Sequence, residues 1–368
     1  MGKRINILIG TVDIGNRIAV YSEFIKSEFK GKFYVESFVK YVLPEQHGYF
    51  SNYTYAHVFK NYSFFKRFLI SFSFFLKALW KYDLLIFISG ETILSHKLMC
   101  FEFFLYKIFR KKITMIFVGS DIRNNEYLKW KEKTMSFNLL EHEVSTWSST
   151  LQKKLVRLAS QFSGSILVSS PDLLQLIPTA KYFPLILDVD RFLEMFQKSS
   201  VKNQSDVISI MHIPSNYMLK GSETILKILD EIKNIYGERV ELILPSKKQY
   251  REDIPYSLNK SELMNCYRRA DIVIDQILIG WYGMQSLEAI YLGKKCLCYI
   301  DDSLKDFIPK DCPIIKTDAF TLKNDLIRLI EDKNNLVDLA FNQNWVSKYH
   351  SMQSQKDKFS KLVLNEQS

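Results

Sequence analysis

Residues 275–295 read DQILIGWYGMQSLEAIYLGKK, and they lead from the end of an apolar run, DIVID, through a glycine-bearing loop into a helical pattern. The first N–H groups of a helix have no partner inside it and carry a partial positive charge, which suits a phosphate. Gly283, where we expect the helix to begin, lets the backbone approach a phosphate closely. Glu288 would then reach a ribose diol. The stretch predicts a nucleotide-diphosphate site, although glycines before helices and solvent-facing helical glutamates are also common elsewhere.

A second feature points to the same ligand. The stretch HIPSNYMLKGSETI closes an earlier strand, and Lys220 leads into another helix at Gly221 and Ser222. An ammonium on a flexible stem is a ready partner for a phosphate oxygen. The alternative interpretation of Lys220 is an ordinary surface lysine.

Strand-like runs alternate with helical patterns along the chain, which predicts an α/β protein with parallel sheets. The first set of strands is INILIG, YDLLIFIS, ITMIFVG and SILVSS; the second, starting near Val207, is MHIPSNYMLKG, VELILPS, DIVIDQ and KCLCYI. Ligands of open α/β sheets gather at the carboxyl ends of such strands. Residues 198–206 have linker composition, so we expect a domain boundary near 190–206.

Length and cysteine content narrow the class of protein. A chain of 368 residues with 47% apolar content can bury two cores. Its five cysteines are an odd number without a C-x-x-C pair or a histidine cluster, which argues against a disulfide framework or a zinc site and favours a reducing cytosol. The N-terminal apolar run is too short for a secretory leader and predicts an opening β-strand.

Positive charge is concentrated in the first half of the chain. Residues 1–200 hold 27 Lys and Arg against 17 Asp and Glu, whereas residues 201–368 hold 23 of each kind. Within the first half, residues 59–112 carry ten basic and three acidic residues together with sixteen aromatics. A nucleic acid, a nucleotide or an anionic membrane could be the partner of such a segment.

Residues 61–81, NYSFFKRFLISFSFFLKALWK, predict an amphipathic helix in this segment. One side collects Phe65, Phe68, Leu69, Phe72, Phe75, Leu76 and Leu79, and another collects Lys66, Arg67, Lys77 and Lys81. The apolar side either packs on the core or enters the headgroup region of a membrane, where Lys and Arg meet anionic lipid. The longest uncharged run, residues 68–76, is too short to cross a bilayer.

Lys220-Gly221 and, further along, ADIVIDQILIGWYGMQSLEAIYLGKK resemble the donor-binding half of GT-B glycosyltransferases, in particular the large retaining family numbered four. The resemblance implies two Rossmann-like domains facing each other across a cleft: an acceptor domain over 1–195, a nucleotide-sugar domain over 206–340, and a helix over 341–368 that crosses back to the first domain. It assigns Glu288 to the ribose hydroxyls and Gly283 to the loop that holds the diphosphate.

The first half agrees in order with the same family. GTVDIGNRIA resembles its first glycine loop, with Gly15 and Asn16 at the start of the first helix, and FVGSDIR resembles its strand-end Gly-Ser-Asp. VSSPDLLQLIP and FPLILDVDRF resemble the stretch that closes the first domain.

Two departures from the family pattern affect the site. Gly280 stands where the family has a first glutamate, and Ser215 and Asn216 stand where it has an arginine. The charge of a diphosphate would therefore meet Lys220 and backbone dipoles, unless Lys247 or Lys248 contributes. The identity of the sugar is left open by the missing glutamate.

The predicted function is transfer of a sugar from a nucleotide-diphosphate sugar to an acceptor. The residues expected to bind the donor are Gly15, His212, Lys220, Gly221, Tyr282, Gly283, Met284 and Glu288. Asp121 and Lys220 are the expected catalytic residues. Asp121 would act as a base on the acceptor hydroxyl, or else caps the next turn or pairs with Arg123. In a retaining enzyme the departing phosphate can accept the proton instead. His212 either lines the cleft or is structural.

We expect no metal and no cofactor, because a helix end and Lys220 can stabilise the leaving diphosphate. Asp301-Asp302 predicts a turn, and Glu141-His142-Glu143 a solvated helix face. The basic, aromatic segment 59–112 favours peripheral contact with the anionic inner face of a plasma membrane. It also favours a saccharide or lipid-linked acceptor, as in bacterial capsule, O-antigen or lipopolysaccharide synthesis. We expect a cytoplasmic protein with no nucleic-acid partner.

Three alternatives stay open. A nucleotide-sugar epimerase of the same design would need acid/base groups on the sugar, for which Asp121 and His212 are the candidates. A nucleic-acid binder would explain the basic segment, but the sequence contains no motif of the known binding modules. A non-catalytic protein that binds nucleotide sugars is kept open by Gly280.

Overall fold

The computed structural model describes residues 4–40, 53–57, 59–94, 96–134, 149–197, 207–245, 258, 260–332 and 337–364. The chain divides into two compact units. The first unit comprises 1–128, 145–186 and 355–368, and the second comprises 129–144 and 187–354.

The first unit is built on a parallel sheet. Its strands are β1 (Ile5–Thr11), β2 (Phe33–Val39), β3 (Tyr55–Ala56), β4 (Leu84–Ile88), β5 (Lys112–Phe117), β6 (Ser165–Val168) and β7 (Lys181–Tyr182). Their order is β3-β2-β1-β4-β5-β6-β7. Helices α1 (Arg17–Glu28), α2 (Phe64–Lys81), α3 (Met99–Ile108) and α5 (Ser149–Phe162) belong to this unit, and α4 (Asn125–Thr134) begins in it and ends in the second. Leu, Ile and aromatic side chains from the strands and from α2, α3 and α5 form the core.

A smaller parallel sheet organises the second unit. Its strands are β8 (Ile208–Met211), β9 (Val240–Ile243), β10 (Ile272–Ile274), β11 (Lys295–Cys298) and β12 (Ile315–Lys316), in the order β12-β11-β10-β8-β9. Its helices are α6 (Val189–Gln197), α7 (Ser222–Tyr236), α8 (Lys260–Arg269), α9 (Met284–Tyr291), α10 (Leu322–Glu331) and α11 (Leu339–His350). From β8 the chain continues to β9 on one side of β8, and it then returns to β10 on the other side of β8. Strands β8 and β10 therefore flank the topological switch point of the sheet, where such sheets bind ligands.

Seven of the eight strands predicted from the apolar runs are confirmed. The eighth, MHIPSNYMLKG, shares only Met211 with β8 and is otherwise a loop. The sheets also contain β2, β3, β7 and β12. Strand β2, FYVESFV, has Glu36 in its middle, which masks the apolar pattern. Glu36 is buried there and accepts hydrogen bonds from the hydroxyls of Tyr34, Tyr55 and Tyr82. The other three strands have two residues each, too few to show a period.

The boundary between the units differs in position from the predicted linker. The longer segment of the second unit begins at Leu187, because α6 packs within this unit: the Phe192 ring lies 6.4 Å from the rings of both Tyr267 and Tyr291. At the other end of the chain, α11 belongs to the second unit. Helix α12 (Met352–Phe359) carries the chain into the first, where Phe359 contacts Phe24 at 5.1 Å.

The apolar stripe predicted on α2 is only partly buried. The side chains of α2 that are buried are Ser71, Phe74, Phe75, Ala78 and Leu79. Of the predicted stripe, Phe75 and Leu79 are therefore in the core, whereas Phe65, Phe68 and Leu69 are exposed. The predicted stripe is therefore divided: one edge packs on the core together with Phe74 and Ala78, and the other edge faces solvent.

Candidate functional site

The predicted helix start is confirmed. Gly283 is the N-cap of α9, and the first bond within the helix joins Leu287 N to Gly283 O at 3.3 Å. The N–H groups of Met284, Gln285 and Ser286 consequently have no acceptor inside the helix. This end of α9 lies on the side where β10 ends, at the switch point of the second sheet.

An internal carboxylate, Asp275, occupies part of this helix end. Asp275 follows β10, is fully buried, and accepts hydrogen bonds from Gly283 N at 3.0 Å and Ser286 Oγ at 2.5 Å. It also forms an ion pair with Lys220. Burial by itself raises the pKa of Asp275, but the Lys220 ammonium and these two hydrogen bonds outweigh it, so that the pKa lies below its ordinary value. The carboxyl group is therefore ionised at neutral pH.

Lys220 reaches the same helix end from the loop after β8. A Cβ placed on Gly283 would lie 3.6 Å from Lys220 Nζ and 3.3 Å from Asp275 Oδ2. The two loops are also joined by a hydrogen bond from Ile277 N to Lys220 O at 3.1 Å. The structure thus brings together Lys220 and Gly283, as the sequence predicted, with a buried carboxylate between them.

Gly221 is required by the backbone at the start of α7. It is the N-cap, at φ +71°, in the left-handed region that favours glycine. A Cβ at this position would lie 2.6 Å from Ile277 Cγ1. The contact between the loops after β8 and β10 therefore depends on the absence of a side chain at Gly221.

Glu288 is half-buried on α9, and its orientation is set by a tyrosine. The Tyr267 hydroxyl donates to Glu288 Oε2 at 2.8 Å. Burial and the neighbouring Glu288 raise the pKa of Tyr267 well above its usual range, so the hydroxyl stays protonated and remains a donor.

The loop between β10 and α9 is held by a glutamine that the sequence analysis did not single out. Gln276 Oε1 accepts from Leu278 N at 2.7 Å and Ile279 N at 2.6 Å, and its Nε2 donates to Trp281 O and Tyr299 O. Gly280 in this loop has φ +80°. A glutamate at that position, as in the family pattern, would be strained in this conformation.

His212 and Tyr282, both predicted to bind the donor, use their polar atoms inside the protein. His212 Nδ1 donates to Ile274 O at 2.9 Å, and Nε2 accepts from Ser222 Oγ at 2.8 Å. The Tyr282 hydroxyl lies 3.2 Å from His350 Nε2. Both side chains are at most 2% exposed. The geometry therefore favours a supporting role for His212 and Tyr282, because their polar side-chain atoms are bonded within the protein and not directed to a ligand.

His212 should make the second unit sensitive to acid. Burial lowers its pKa from 6.5 to about 4, against a raising contribution from the bond to Ile274 O. Because the folded-state pKa is the lower one, stability is complete above pH 6.5 and falls as the pH approaches 4. We expect a loss of about 3 kcal/mol from this residue. Urea unfolding at several pH values should show a shallower pH dependence for His212→Asn, whose amide can still donate to Ile274 O. Equal slopes for the two proteins would contradict this assignment.

In the first unit, Gly15 and Asn16 precede α1 as predicted, with φ values of +62° and +61°. The amino end of α1 also contains a buried acid, Asp13, whose Oδ1 accepts from Ile18 N at 3.0 Å. Asp13 was not among the residues predicted from the sequence. In each unit, the helix that begins at the switch point of the sheet, α1 or α9, is therefore associated with an internal aspartate.

Asp121 caps its own turn. Its carboxylate accepts from Val118 N at 3.0 Å and from Gly119 N at 2.7 Å, and the residue is 2% exposed. Burial raises the pKa of Asp121. Arg123 pairs with Asp172 instead, at 2.8 Å. Of the alternatives for Asp121, the geometry favours the capping role.

The remaining sequence candidates have local roles or lie outside the described residues. Asn216 Oδ1 accepts from Leu219 N at 2.9 Å and closes the turn before Lys220. Asp301 caps a short 3-10 helix through Ser303 N, which confirms the predicted turn. Lys247, Lys248 and the Glu141-His142-Glu143 stretch lie outside the described residues. Within the described residues, no group of three or more His, Cys, Asp or Glu side chains is arranged to hold a metal ion.

Sequence reasoning missed Asp275, Tyr267 and Ser286. The sequence did contain a signal for Asp275, because this acid directly follows an apolar run. An acidic side chain that becomes buried at such a position needs a partner. Its pairing with Lys220 depends on β8 and β10 being neighbours in the sheet, which the chain order does not reveal.

Neither a protein-family model nor a curated protein matches the sequence. Solved structures match it over almost its whole length. HepE of Anabaena, in complex with UDP and glucose, has a TM-score of 0.62 at 14% identity over 99% of this chain and 100% of that chain. Sucrose-phosphate synthase of Thermosynechococcus elongatus has 0.60 at 12% identity, over 99% of both chains.

A third match is a Listeria monocytogenes protein assigned as a UDP-N-acetylglucosamine 2-epimerase, with a TM-score of 0.54 at 10% identity over 100% of this chain and 99% of that chain. At these identities the likeness shows the fold. The expected fold is thereby confirmed: the chain has the GT-B fold.

Proposed function

We propose that the protein is a glycosyltransferase that moves a sugar from a nucleotide-diphosphate donor, held by the second unit, to an acceptor. The observation that carries this proposal is the position of Lys220 Nζ beside Gly283, at the amino end of α9. An ammonium and the N–H groups of Met284, Gln285 and Ser286 converge there, and this combination suits a diphosphate. HepE, which has this fold, has been solved with UDP and glucose.

In the proposed complex Glu288 accepts hydrogen bonds from the two ribose hydroxyls. Tyr267 supports this role, because its hydroxyl holds Glu288 Oε2 at 2.8 Å and so restricts the rotamers of the carboxylate. An acceptor-only group can satisfy both hydroxyls of a diol, which an amide oxygen does less well. Glu288 thus places the nucleoside, and the helix end places the diphosphate.

Catalysis in this proposal is electrostatic. When the bond between sugar and diphosphate breaks, negative charge develops on the leaving phosphate, and preorganised N–H donors stabilise it. One well-placed donor of this kind contributes roughly 3–4 kcal/mol in comparable sites. The Lys220 ammonium is already paired with Asp275, so we assign the larger share to the N–H groups of α9. Metal-independent catalysis remains part of the proposal.

We also propose that configuration at the sugar is retained. The capping role of Asp121 supports this, because its carboxylate is 2% exposed and is engaged by Val118 N and Gly119 N. In a retaining reaction the departing phosphate can take the proton from the acceptor hydroxyl, and no side-chain base is required at Asp121. The proposed acceptor is a saccharide or a lipid-linked saccharide of a bacterial surface polysaccharide.

Ligand binding tests the donor site directly. Nucleoside diphosphates and their sugars should raise the unfolding temperature of the full chain, since a ligand at 100 times its Kd stabilises by about 2.7 kcal/mol. A cytidine monophosphate sugar lacks the second phosphate and should have a smaller effect. Comparing UDP, GDP and ADP sugars would also identify the base. No stabilisation by any nucleoside diphosphate would remove the proposal.

The variant Glu288→Gln should weaken binding of the stabilising nucleotide by about ten- to a hundredfold, as expected when a charged hydrogen-bond acceptor is neutralised. Glu331→Gln is the matched control, because Glu331 also accepts a tyrosine hydroxyl at 2.8 Å, from Tyr236, elsewhere in the second unit. Isothermal titration of both variants measures the difference. Equal affinities would show that Glu288 does not contact the ribose.

An epimerase is the second candidate, and it is represented among the proteins with this fold. It would require an acid and a base that face the sugar. Asp121 and His212, the candidates from sequence, are both bonded internally. The geometry of the described residues therefore favours transfer over epimerisation.

A further inference from the structure

Two consecutive helices of the first unit, α2 and α3, present large apolar side chains to solvent. The exposed side chains are Phe64, Phe65, Phe68, Leu69, Leu76, Trp80, Phe101, Phe104 and Ile108, and we call this set the aromatic face. They are nine of the seventeen exposed large apolar residues within the described part of the chain. Phe64 is 85% exposed and Trp80 is 78% exposed. Scattered exposed apolar residues are normal, but a cluster of this size indicates an interaction surface.

The two helices that carry the aromatic face are joined by ring contacts. On α2 its members recur at helical spacing along one side. The ring of Phe68 stacks on Phe72 at 5.7 Å, Phe72 contacts Phe75 at 6.2 Å, and Phe75 contacts Phe101 of α3 at 6.3 Å. Phe75 also packs in the core, so the face is fixed to the interior of the unit.

The segment 59–112, which carries the aromatic face, has mostly positive charges. Residues 59–112 contain ten basic and three acidic side chains. None of the three acids is exposed: Glu102 is buried, and Asp83 and Glu91 are partly buried. The exposed basic residues on or next to the two helices are Lys66, Lys97, Lys107, Arg110 and Lys112. This surface complements a negatively charged partner.

We propose that the aromatic face docks on the headgroup region of an anionic lipid bilayer. Phenylalanine and tryptophan side chains enter the boundary between headgroups and acyl chains, and the surrounding lysines and arginine contact lipid phosphates. The contact is interfacial, since none of the described helices has the length and hydropathy needed to cross a membrane. A protein partner would need matching acidic groups around an apolar centre, whereas an anionic bilayer presents both features over its whole surface. The proposal does not depend on the donor site.

Vesicle flotation with the full chain tests this surface. The protein should float with vesicles of phosphatidylcholine and phosphatidylglycerol and stay with the lipid-free fraction when the vesicles contain phosphatidylcholine alone. Added salt should reduce binding. The double variant Phe65→Ser/Phe104→Ser should lower the partition coefficient by at least about tenfold, because two apolar anchors are lost.

A matched control keeps the test specific. Phe320 and Ile235 of the second unit are 67% and 54% exposed, close to Phe65 at 68% and Phe104 at 55%. Phe320→Ser/Ile235→Ser should leave flotation unchanged, and circular dichroism should show that both double variants are folded. Failure of the unaltered chain to float with anionic vesicles would overturn the proposal. An equal loss of flotation in the two double variants would also overturn it. So would the absence of flotation together with a dimer of this chain that dissociates in Phe65→Ser/Phe104→Ser.

Discussion

Replacing Lys220 by methionine should destabilise the second unit by about 3–5 kcal/mol, because it leaves a buried carboxylate without its counter-charge. Asp275 is 0% exposed, and its remaining partners are Gly283 N and Ser286 Oγ. Urea denaturation followed by tryptophan fluorescence measures the change. The loss should exceed what a surface lysine contributes.

Two further variants separate the ion pair from the shape of the side chain. Lys220→Met/Asp275→Asn removes both charges, and the asparagine oxygen can still accept from Gly283 N, so most of the lost stability should return. Lys323→Met breaks an exposed pair with Glu231, whose side chains are 41% and 53% exposed, and should cost less than about 1 kcal/mol. Equal losses in Lys220→Met and Lys323→Met would show that the buried pair is not the cause.

This result bears on how Lys220 can be tested in catalysis. A drop in activity of Lys220→Met would combine lost folding with lost phosphate binding. The double variant with Asp275→Asn restores the fold and still lacks the ammonium. Comparing its affinity for the stabilising nucleotide with that of Asp275→Asn alone therefore isolates the contribution of the Lys220 ammonium to the donor site.

Replacing Gly221 by alanine should destabilise the second unit by about 2–5 kcal/mol. Two costs combine: the left-handed backbone at φ +71°, and a Cβ at 2.6 Å from Ile277 Cγ1. The loops after β8 and β10 would separate, so the Lys220 ammonium should also move from the end of α9. We expect nucleotide affinity, measured by titration on the folded fraction, to fall together with stability.

Gly31→Ala controls for the backbone contribution. Gly31 has φ +78°, and nothing lies within 4 Å of a Cβ placed there. Its substitution should cost about 1 kcal/mol, from conformation alone. If both substitutions cost the same, the contact between Gly221 and Ile277 is not a tight one.

Much of the fold could be predicted because it depends on local patterns. Apolar runs that end in Gly or Ser mark β1, β4, β5 and β6, and the glycine before MQSLEAIYL marks the start of α9 at Met284. Strand β2 was missed, because Glu36 interrupts its pattern. Its carboxylate is stabilised by the hydroxyl of Tyr34 in the same strand and by those of Tyr55 and Tyr82 from other elements. The sequence left open whether the apolar stripe of α2 packs on the core, and the structure buries only the part of it that includes Phe75 and Leu79.

The sequence alone determined the alternation of strands and helices, the helix start at Gly283 and the concentration of basic and aromatic residues in 59–112. These features follow from hydrophobic period, backbone conformation and composition, which act over a few residues. Only the tertiary structure decided that Lys220 meets Asp275, that His212 is held by Ser222 and Ile274, and that the aromatic face is exposed. Those outcomes depend on which strands become neighbours and which helix side is covered, and they are set by contacts between residues far apart in the chain.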